Sequence, residues 1–372
     1  MTKQRIERLR EKLEERKLDA LFIASPETGS PVNRRYLSGF TGTSAYLLIT
    51  RDDAVIVTDF RYYEQAEQQA TDFRLHKAVG GMEKWLPGLF GESAASLGGR
   101  RVAFEAAHVS YQTHRTMRNV VRELPAAQRP KLVATSNLVE GLRTIKEPEE
   151  LAALQAAVDL GDAAFEHVAE RVEPGWTERQ VAWELEKYIR EHGGDGLSFD
   201  TLVGSGERGA MPHCFPTDRV LKKGEGVVID MGVELDGYMS DLTRTIYLGK
   251  PDDRFKRVYD IVLAAQQTAG ELVEAGMTGE QAHLLAHNVI DEAGHGDDFG
   301  HGLGHGVGLQ VHEAPRLGKS SDDVLAEGMV FTIEPGIYLT GWGGVRIEDM
   351  VVLEQGRARL MSHAPKLTTA AA

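Results

Sequence analysis

The chain has 372 residues, which at roughly 150 residues per domain indicates two domains. Its 42 basic and 56 acidic residues leave a net charge of −14, so nucleic acid is not expected as a partner, because a binding face needs clustered lysine and arginine. No run approaches the roughly 18 apolar residues of a membrane span, and the charged first residues do not resemble a signal peptide, so we expect a cytoplasmic protein with no membrane partner.

The first 140 residues mix helical and strand patterns. An amphipathic helix is predicted over residues 6–17, because Ile6, Leu9 and Leu13 lie on one helical face. Further along, apolar runs predict strands at 20–24, 46–50, 54–58 and 101–104 and a helix at 60–70. This mixture indicates a small α/β domain over residues 1–140.

The remaining residues, 141–372, begin with helices and continue with strands. Pro148 opens an alanine-rich helix predicted to reach about residue 170, and Thr177 is an N-cap for a second helix to about 192. Strand patterns then follow at 198–203, 226–231, 237–247, 329–338 and 344–353, with helices at about 253–275 and 279–293. The pattern predicts an α+β domain with a mainly antiparallel sheet.

Five acidic or imidazole residues of this second domain lie in unusual surroundings: Asp230, Asp241, His305, Glu334 and Glu348. Two of these carboxylates directly follow apolar strand runs, which is costly unless the charge is paired or holds a metal. Asp230 and Asp241 are 11 residues apart across a turn at Asp236-Gly237, so a hairpin would bring them to one end of a strand pair. Any one of the five could equally be an ordinary ion-paired residue, but the set as a whole argues against that interpretation.

The composition of this set favours a particular kind of metal site. The chain has one cysteine, Cys214, so a thiolate zinc cage is excluded. Four carboxylates and one imidazole suit two divalent ions, with manganese or cobalt expected first and zinc or iron as alternatives. The four negative charges would balance two such cations.

The order Asp, Asp, His, Glu, Glu, each in its local motif, resembles the pita-bread metallopeptidases. These include methionine aminopeptidase, aminopeptidase P and prolidase, together with the metal-free relative creatinase. Residues 33–42 (Asn-Arg-Arg-Tyr-Leu-Ser-Gly-Phe-Thr-Gly) and 58–62 (Thr-Asp-Phe-Arg-Tyr) look like the N-terminal domain of the proline-specific branch, which methionine aminopeptidases lack. The resemblance covers the whole chain. It implies a creatinase-like N-terminal α/β domain and a pita-bread catalytic domain.

The resemblance also implies roles for the five residues. Asp230 would be the two-oxygen ligand of the first metal, Asp241 and Glu348 would bridge the metals, and His305 and Glu334 would bind the second. A hydroxide shared by the metals would be the nucleophile. Glu334 would take the proton of the water and pass it to the leaving amine.

Further residues match positions around the metals in the proline-specific branch. His213, His301 and His312 would stabilise the developing oxyanion as hydrogen-bond donors. Arg346 resembles an arginine that orients the bridging carboxylates or the substrate, and Tyr338 is a candidate for contacting the substrate.

The function implied is a two-metal peptidase that hydrolyses the Xaa–Pro bond of proline-containing di- or oligopeptides. A prolidase would hold the free proline carboxylate of a dipeptide, for which Arg316 is the candidate, and is preferred. An aminopeptidase P acting on longer peptides is the alternative, and a metal-free creatinase-like hydrolase or a binding protein is a more distant one. The family resemblance also implies a homodimer.

Overall fold

The computed structural model describes residues 2–27, 29–92, 97–366 and 369–370. Two compact units account for the chain, residues 1–143 and residues 144–372. None of the helices in these described ranges has the length and apolar character that a membrane span requires.

The first unit is built on one mixed sheet. Its strand order is β4-β3-β2-β1-β5-β6, with β1, β2 and β3 antiparallel and the outer pairings parallel. The strands are β1 (Ala20–Ser25), β2 (Ala45–Thr50), β3 (Ala54–Thr58), β4 (Arg74–Lys77), β5 (Arg101–Glu105) and β6 (Lys131–Thr135). Strands β1 and β3 are buried along their whole length, which explains their continuous apolar sequence.

Helices accompany this sheet, and the predicted N-terminal one is confirmed with Ile6, Leu9 and Leu13 buried. The helices are α1 (Thr2–Glu15), α2 (Val32–Ser38), α3 (Tyr63–Gln69), α4 (Met82–Glu92), α5 (Tyr111–Glu123) and α6 (Glu140–Arg143). The helix predicted at 60–70 begins instead with a 3₁₀ turn at Phe60–Tyr62, because the Asp59 carboxylate accepts a hydrogen bond from the Arg61 backbone N–H.

The second unit contains mainly antiparallel sheets, as predicted. One sheet has the order β20-β12-β9-β8 and another the order β14-β13-β15-β18-β19, with smaller sheets β11-β10-β7 and β16-β17. The strands are β7 (Gly196–Leu197), β8 (Leu202–Ser205), β9 (Gly226–Met231), β10 (Val233–Leu235), β11 (Tyr238–Met239), β12 (Leu242–Leu248), β13 (Gly304–Gly306), β14 (Glu313–Leu317), β15 (Val330–Ile333), β16 (Gly336–Leu339), β17 (Gly343–Arg346), β18 (Asp349–Glu354), β19 (Arg357–Leu360) and β20 (Thr369–Ala370).

The helices of this unit begin at clear sequence signals. They are α7 (Pro148–Ala169), α8 (Glu178–Glu191), α9 (Asp253–Leu272) and α10 (Gly279–Glu292). Pro148 lies in the first turn of α7, and Thr177 caps α8 in a reciprocal pair of hydrogen bonds with Gln180. These helices pack their apolar faces against the sheets and form the core of the unit.

Four of the predicted strands are interrupted in the structure. Residues 198–201, predicted as part of a strand, instead connect β7 to β8. The other breaks fall at Ser240-Asp241, at Glu334-Pro335 and at Ile347-Glu348. Three of the five candidate metal ligands, Asp241, Glu334 and Glu348, therefore lie in short breaks between consecutive strands.

Candidate metal centre

Strands β9 and β12 form the hairpin that the sequence predicts. Their antiparallel register pairs Asp230 with Thr243 and Met231 with Leu242, and the turn residues Asp236 and Gly237 have positive φ values of 49° and 73°. Asp241 immediately precedes β12, so both aspartates lie at the same end of the strand pair.

The other three residues reach this end of the hairpin from the neighbouring sheets. His305 is the central residue of β13, Glu334 follows β15, and Glu348 precedes β18. The Glu348 backbone N–H donates to the Thr243 carbonyl (3.1 Å), which ties the two sheets together at the site. The Asp241, His305 and Glu348 ligand atoms all lie within 4.8 Å of one another.

These residues open into one cavity of about 600 Å³. The cavity also presents residues that sequence analysis did not single out, including the apolar side chains of Phe199, Leu202, Phe215 and Leu317. Its full lining is Phe199, Asp200, Leu202, Pro212, His213, Phe215, Asp230, Asp241, His301, Gly302, Gly304, His305, His312, Arg316, Leu317, Glu334, Arg346 and Glu348.

His305 is oriented as a metal ligand. Its Nδ1 lies 3.1 Å from the Gly306 carbonyl oxygen, and because a carbonyl only accepts, Nδ1 carries the proton. Burial, followed by the neighbouring His312, lowers the His305 pKa to about 4, so the ring is neutral near pH 7. Its Nε2 lone pair then faces Asp241 Oδ2 at 3.6 Å and Glu334 Oε1 at 3.5 Å. A lone pair aimed at two carboxylates is unfavourable unless a metal cation or a proton lies between them.

The four carboxylates carry more negative charge than their surroundings compensate. Burial raises the pKa of all four, and neighbouring carboxylates raise the pKa of Asp241 and Glu334 further, well above the ordinary range. The pKa of Glu348 rises to about 7, through burial and then through Asp230. Divalent cations would remove this repulsion, so the donor set fits the two ions that the sequence predicts.

Protein groups already hold two of the carboxylates. Arg346 Nη2 pairs with Asp230 Oδ2, while Asp230 Oδ1 has no hydrogen-bond partner among the described residues. The Thr243 hydroxyl donates to Glu348 Oε2 (2.6 Å) and accepts a hydrogen bond from Arg346 Nε (3.0 Å). Thr243 is a residue that sequence analysis missed, because threonine is common in strands that have one face in water.

His301 has both ring nitrogens engaged within the protein. Its Nδ1 is 2.8 Å from the Gly302 carbonyl and carries the proton, so Nε2 accepts a hydrogen bond from the Tyr338 hydroxyl at 2.9 Å. The same hydroxyl accepts a hydrogen bond from Arg346 Nη1 at 3.0 Å. Tyr338 therefore lies against His301 and Arg346, in a hydrogen-bonded row that continues to Asp230.

The remaining predicted residues lie on the cavity wall. His213 and His312 are both exposed, and the His312 ring packs against the ligand candidate His305 with 4.2 Å between ring centroids. Burial lowers the His312 pKa, so its ring is neutral near pH 7 and keeps one N–H to donate. Arg316, on β14, is exposed on the same wall.

Comparison with known proteins agrees with this geometry. Residues 152–355 match the profile of metallopeptidase family M24, and residues 5–145 match that of the creatinase/prolidase N-terminal domain. Among solved structures, the Xaa-Pro dipeptidase from Bacillus anthracis is similar over the whole of both chains (38% identity, TM-score 0.93). The X-Pro aminopeptidase from Thermotoga maritima is similar over 96% of this chain and 99% of its own (34% identity, TM-score 0.87).

A curated relative extends this comparison. The Xaa-Pro dipeptidase of Pyrococcus furiosus is 36% identical over 96% of this chain and 97% of its own. These matches span both units and agree with the resemblance that the sequence motifs carry. The chain therefore belongs to metallopeptidase family M24 and has the creatinase/prolidase N-terminal domain.

Proposed function

We propose that the chain is a two-metal Xaa-Pro dipeptidase. The observation that carries the proposal is the neutral His305 ring with its Nε2 lone pair facing Asp241 and Glu334, in a cavity with two further buried carboxylates. The names of the Bacillus anthracis and Pyrococcus furiosus relatives support the choice of substrate. All residues that line the cavity lie within 141–372, so we assign the chemistry to that predicted domain.

The ligand set would be the one expected from the sequence: Asp230, Asp241, His305, Glu334 and Glu348. When bound, the two ions would polarise the scissile carbonyl and lower the pKa of water. Manganese or cobalt is the preferred choice for this oxygen-rich set, with zinc or iron as alternatives.

The protein groups around the ligands have separable tasks. Glu334 would accept the proton of the attacking water and deliver it to the proline nitrogen. His213 and His312 would donate hydrogen bonds to the carbonyl oxygen as it gains charge. Arg346 would orient Asp230, and His301 would act through Tyr338 and Arg346 rather than by donating to the oxyanion.

A dedicated peptidase is needed for this bond because proline has no backbone N–H. Peptidases that bind an extended substrate through a hydrogen bond from this backbone N–H therefore bind Xaa–Pro poorly. Here the apolar side chains of Phe199, Leu202 and Phe215 offer contact area to a proline ring or its neighbour. Arg316 would pair with the carboxylate of a dipeptide.

Aminopeptidase P activity is the second candidate. It is favoured by the similarity to the Thermotoga maritima aminopeptidase and by the exposure of Arg316, which leaves room for a longer peptide on that side. The two activities differ in whether a free proline carboxylate is required.

The test is hydrolysis of Ala-Pro and Ala-Pro-Ala by protein that has been stripped of metal and reloaded with Mn²⁺ or Co²⁺. Cleavage of the dipeptide alone is expected, and efficient cleavage of the tripeptide would instead establish an aminopeptidase P. Asp241→Asn should lose bound metal and both activities together. An active, metal-loaded Asp241→Asn protein would refute the two-metal assignment.

The homodimer and the cytoplasmic location stay predictions. Light scattering of the purified protein at micromolar concentration tests the first, and a stable, fully active monomer would contradict it. Fractionation of the source cells tests the second.

A further inference from the structure

A second group of buried charges lies next to the proposed ligand Glu348. The Arg244 and Asp349 side chains are 1% and 0% exposed, and Arg244 Nη2 lies 2.6 Å from Asp349 Oδ1. A buried ion pair costs desolvation energy that its own attraction seldom exceeds, so it is weak evidence for a contribution to stability. Its position suggests another role, because Arg244 follows Thr243 in the chain and Asp349 follows Glu348.

Arg244 and Thr243 hold Glu348 from two sides. Arg244 Nη1 donates to the Glu348 carbonyl and to the Thr243 carbonyl (3.0 Å), while the Thr243 hydroxyl donates to the Glu348 carboxylate at 2.6 Å. Consecutive residues of β12 therefore fix both the backbone and the side chain of one ligand. A metal ligand held in this way needs little rearrangement when an ion binds.

The C-terminal segment 362–366 completes the group. Lys366 Nζ lies 2.7 Å from Asp349 Oδ2, which also accepts a hydrogen bond from Gln266 Nε2 at 2.7 Å. The Ala364 carbonyl accepts hydrogen bonds from Arg244 Nε (3.3 Å) and Nη2 (2.9 Å). The segment thus contacts both members of the ion pair.

The charges in this group balance without contribution from the metal site. Asp349 is paired with two cations, Arg244 and Lys366. Asp162 supplies the second negative charge and accepts a hydrogen bond from the backbone of His363. Two cations, Arg244 and Lys366, thus accompany two carboxyl groups, Asp349 and Asp162, in this group.

We propose that Arg244, Asp349 and Lys366 are positioning residues for Glu348, and that segment 362–366 thereby sets the affinity of the centre for divalent ions. The proposal rests on the proposed function in one respect, namely that Glu348 is a metal ligand. It assigns a task to a segment, 362–366, that does not line the cavity.

The test measures Mn²⁺ binding by isothermal titration calorimetry on the full, metal-stripped chain, with the thermal unfolding midpoint of each metal-free variant recorded in parallel. Lys366→Met and Arg244→Lys should each weaken Mn²⁺ binding by about tenfold or more, as loss of groups that orient ligands generally does. Lys366→Arg keeps the charge and should retain wild-type affinity. Lys187→Met, at a partly exposed position on α8 where the lysine pairs with Glu184 (3.6 Å), is the matched control and should bind Mn²⁺ as the wild type does.

The result separates a positioning role from a purely structural one. Lower unfolding midpoints with unchanged Mn²⁺ affinity would overturn the inference. Lys366 is partly exposed, so its substitution should leave a folded protein even if Arg244→Lys does not fold. A wild-type chain that binds no Mn²⁺ would overturn the proposed function together with this inference, whereas unchanged affinity in the variants would overturn the inference alone.

Discussion

The Tyr338 hydroxyl donates its hydrogen bond to His301 Nε2 over 2.9 Å. The direction of this hydrogen bond follows from His301 Nδ1, which must carry the ring proton because it faces the Gly302 carbonyl. In this arrangement His301 has no N–H left for a substrate. It can influence the reaction only by holding Tyr338, which in turn contacts Arg346.

The first prediction concerns this coupling. His301→Ala and Tyr338→Phe should each lower kcat by about tenfold or more, because each breaks the hydrogen-bonded row that supports Arg346. The double variant should be no slower than the slower single variant, since residues in one hydrogen-bonded row are not additive. Steady-state kinetics on Ala-Pro for the four proteins measures this.

A second double-mutant cycle, which combines His213→Ala with Tyr338→Phe, provides the comparison. His213 is exposed on the cavity wall and is proposed to contact the substrate directly, so its effect should add to that of Tyr338→Phe. Additive losses for His301 and Tyr338 would contradict the positioning role and return His301 to the oxyanion site.

Sequence patterns identified the ligand candidates but not the shape of the strands that carry them. A carboxylate that follows an apolar run can be recognised from the sequence alone, and Asp230 and Glu334 are two such residues. The break after Glu334 had a signal as well, because Pro335 cannot donate to a sheet ladder. The break at Asp241 carries no glycine or proline, so only the tertiary structure reveals it.

The supporting residues were missed for a different reason. Thr243 and Arg244 lie within the run Leu-Thr-Arg-Thr-Ile-Tyr-Leu. Thr243 falls on its more polar face, as in an ordinary strand with one face in water, whereas Arg244 falls among the apolar residues of the other face. In the structure every residue of β12 is buried. Burial on both faces depends on which elements pack there, and this information is not local to the sequence.

The second prediction concerns the choice between dipeptides and longer peptides. Arg316→Ala should raise KM for Ala-Pro by about tenfold or more, because a charge-assisted pair with the proline carboxylate is lost. KM for Ala-Pro-Ala should change little, since that carboxylate is then absent from the proline. Arg316→Lys keeps the charge and should show a smaller defect; equal effects on both substrates would refute the assignment.

The third prediction uses a buried carboxyl group of the first unit. Glu105 is 6% exposed and accepts a hydrogen bond from Asn33 Nδ2 at 2.6 Å. Burial is the main cause that raises its pKa to about 7, and the neighbouring Glu140 adds to it. A carboxyl whose pKa is higher in the folded state destabilises that state as pH rises from the unfolded value, near 4.5, to about 7.

Glu105→Gln removes this ionisation and keeps an oxygen for Asn33. The unfolding free energy of the variant should increase relative to that of the wild type as the pH rises from 4.5 to 7. Above pH 7 the difference should reach on the order of 3 kcal/mol. Urea denaturation at several pH values measures the difference. Glu123→Gln, at an exposed position on α5, should show no such trend, and a pH-independent difference for Glu105→Gln would be evidence against the raised pKa.

The fourth prediction concerns the close approach of β13 to β15. A Cβ atom added to Gly304 would lie 2.0 Å from the Thr332 carbonyl oxygen, so the strands must separate. The Thr332 hydroxyl accepts a hydrogen bond from the His305 backbone N–H at 3.1 Å and donates to Glu334 at 3.3 Å. Displacing Thr332 therefore disturbs two proposed ligands together.

Gly304→Ala should cost about 2 kcal/mol or more of unfolding free energy, in the range of strained core substitutions, and should weaken Mn²⁺ binding. Gly300→Ala is the control, because no described atom beyond its two chain neighbours lies within 4 Å of a Cβ added at that position. Thermal unfolding and calorimetric Mn²⁺ titration of both variants make the comparison. If Gly304→Ala bound Mn²⁺ and unfolded as the Gly300 variant does, the contact between β13 and β15 would not be what holds His305 and Glu334 in place.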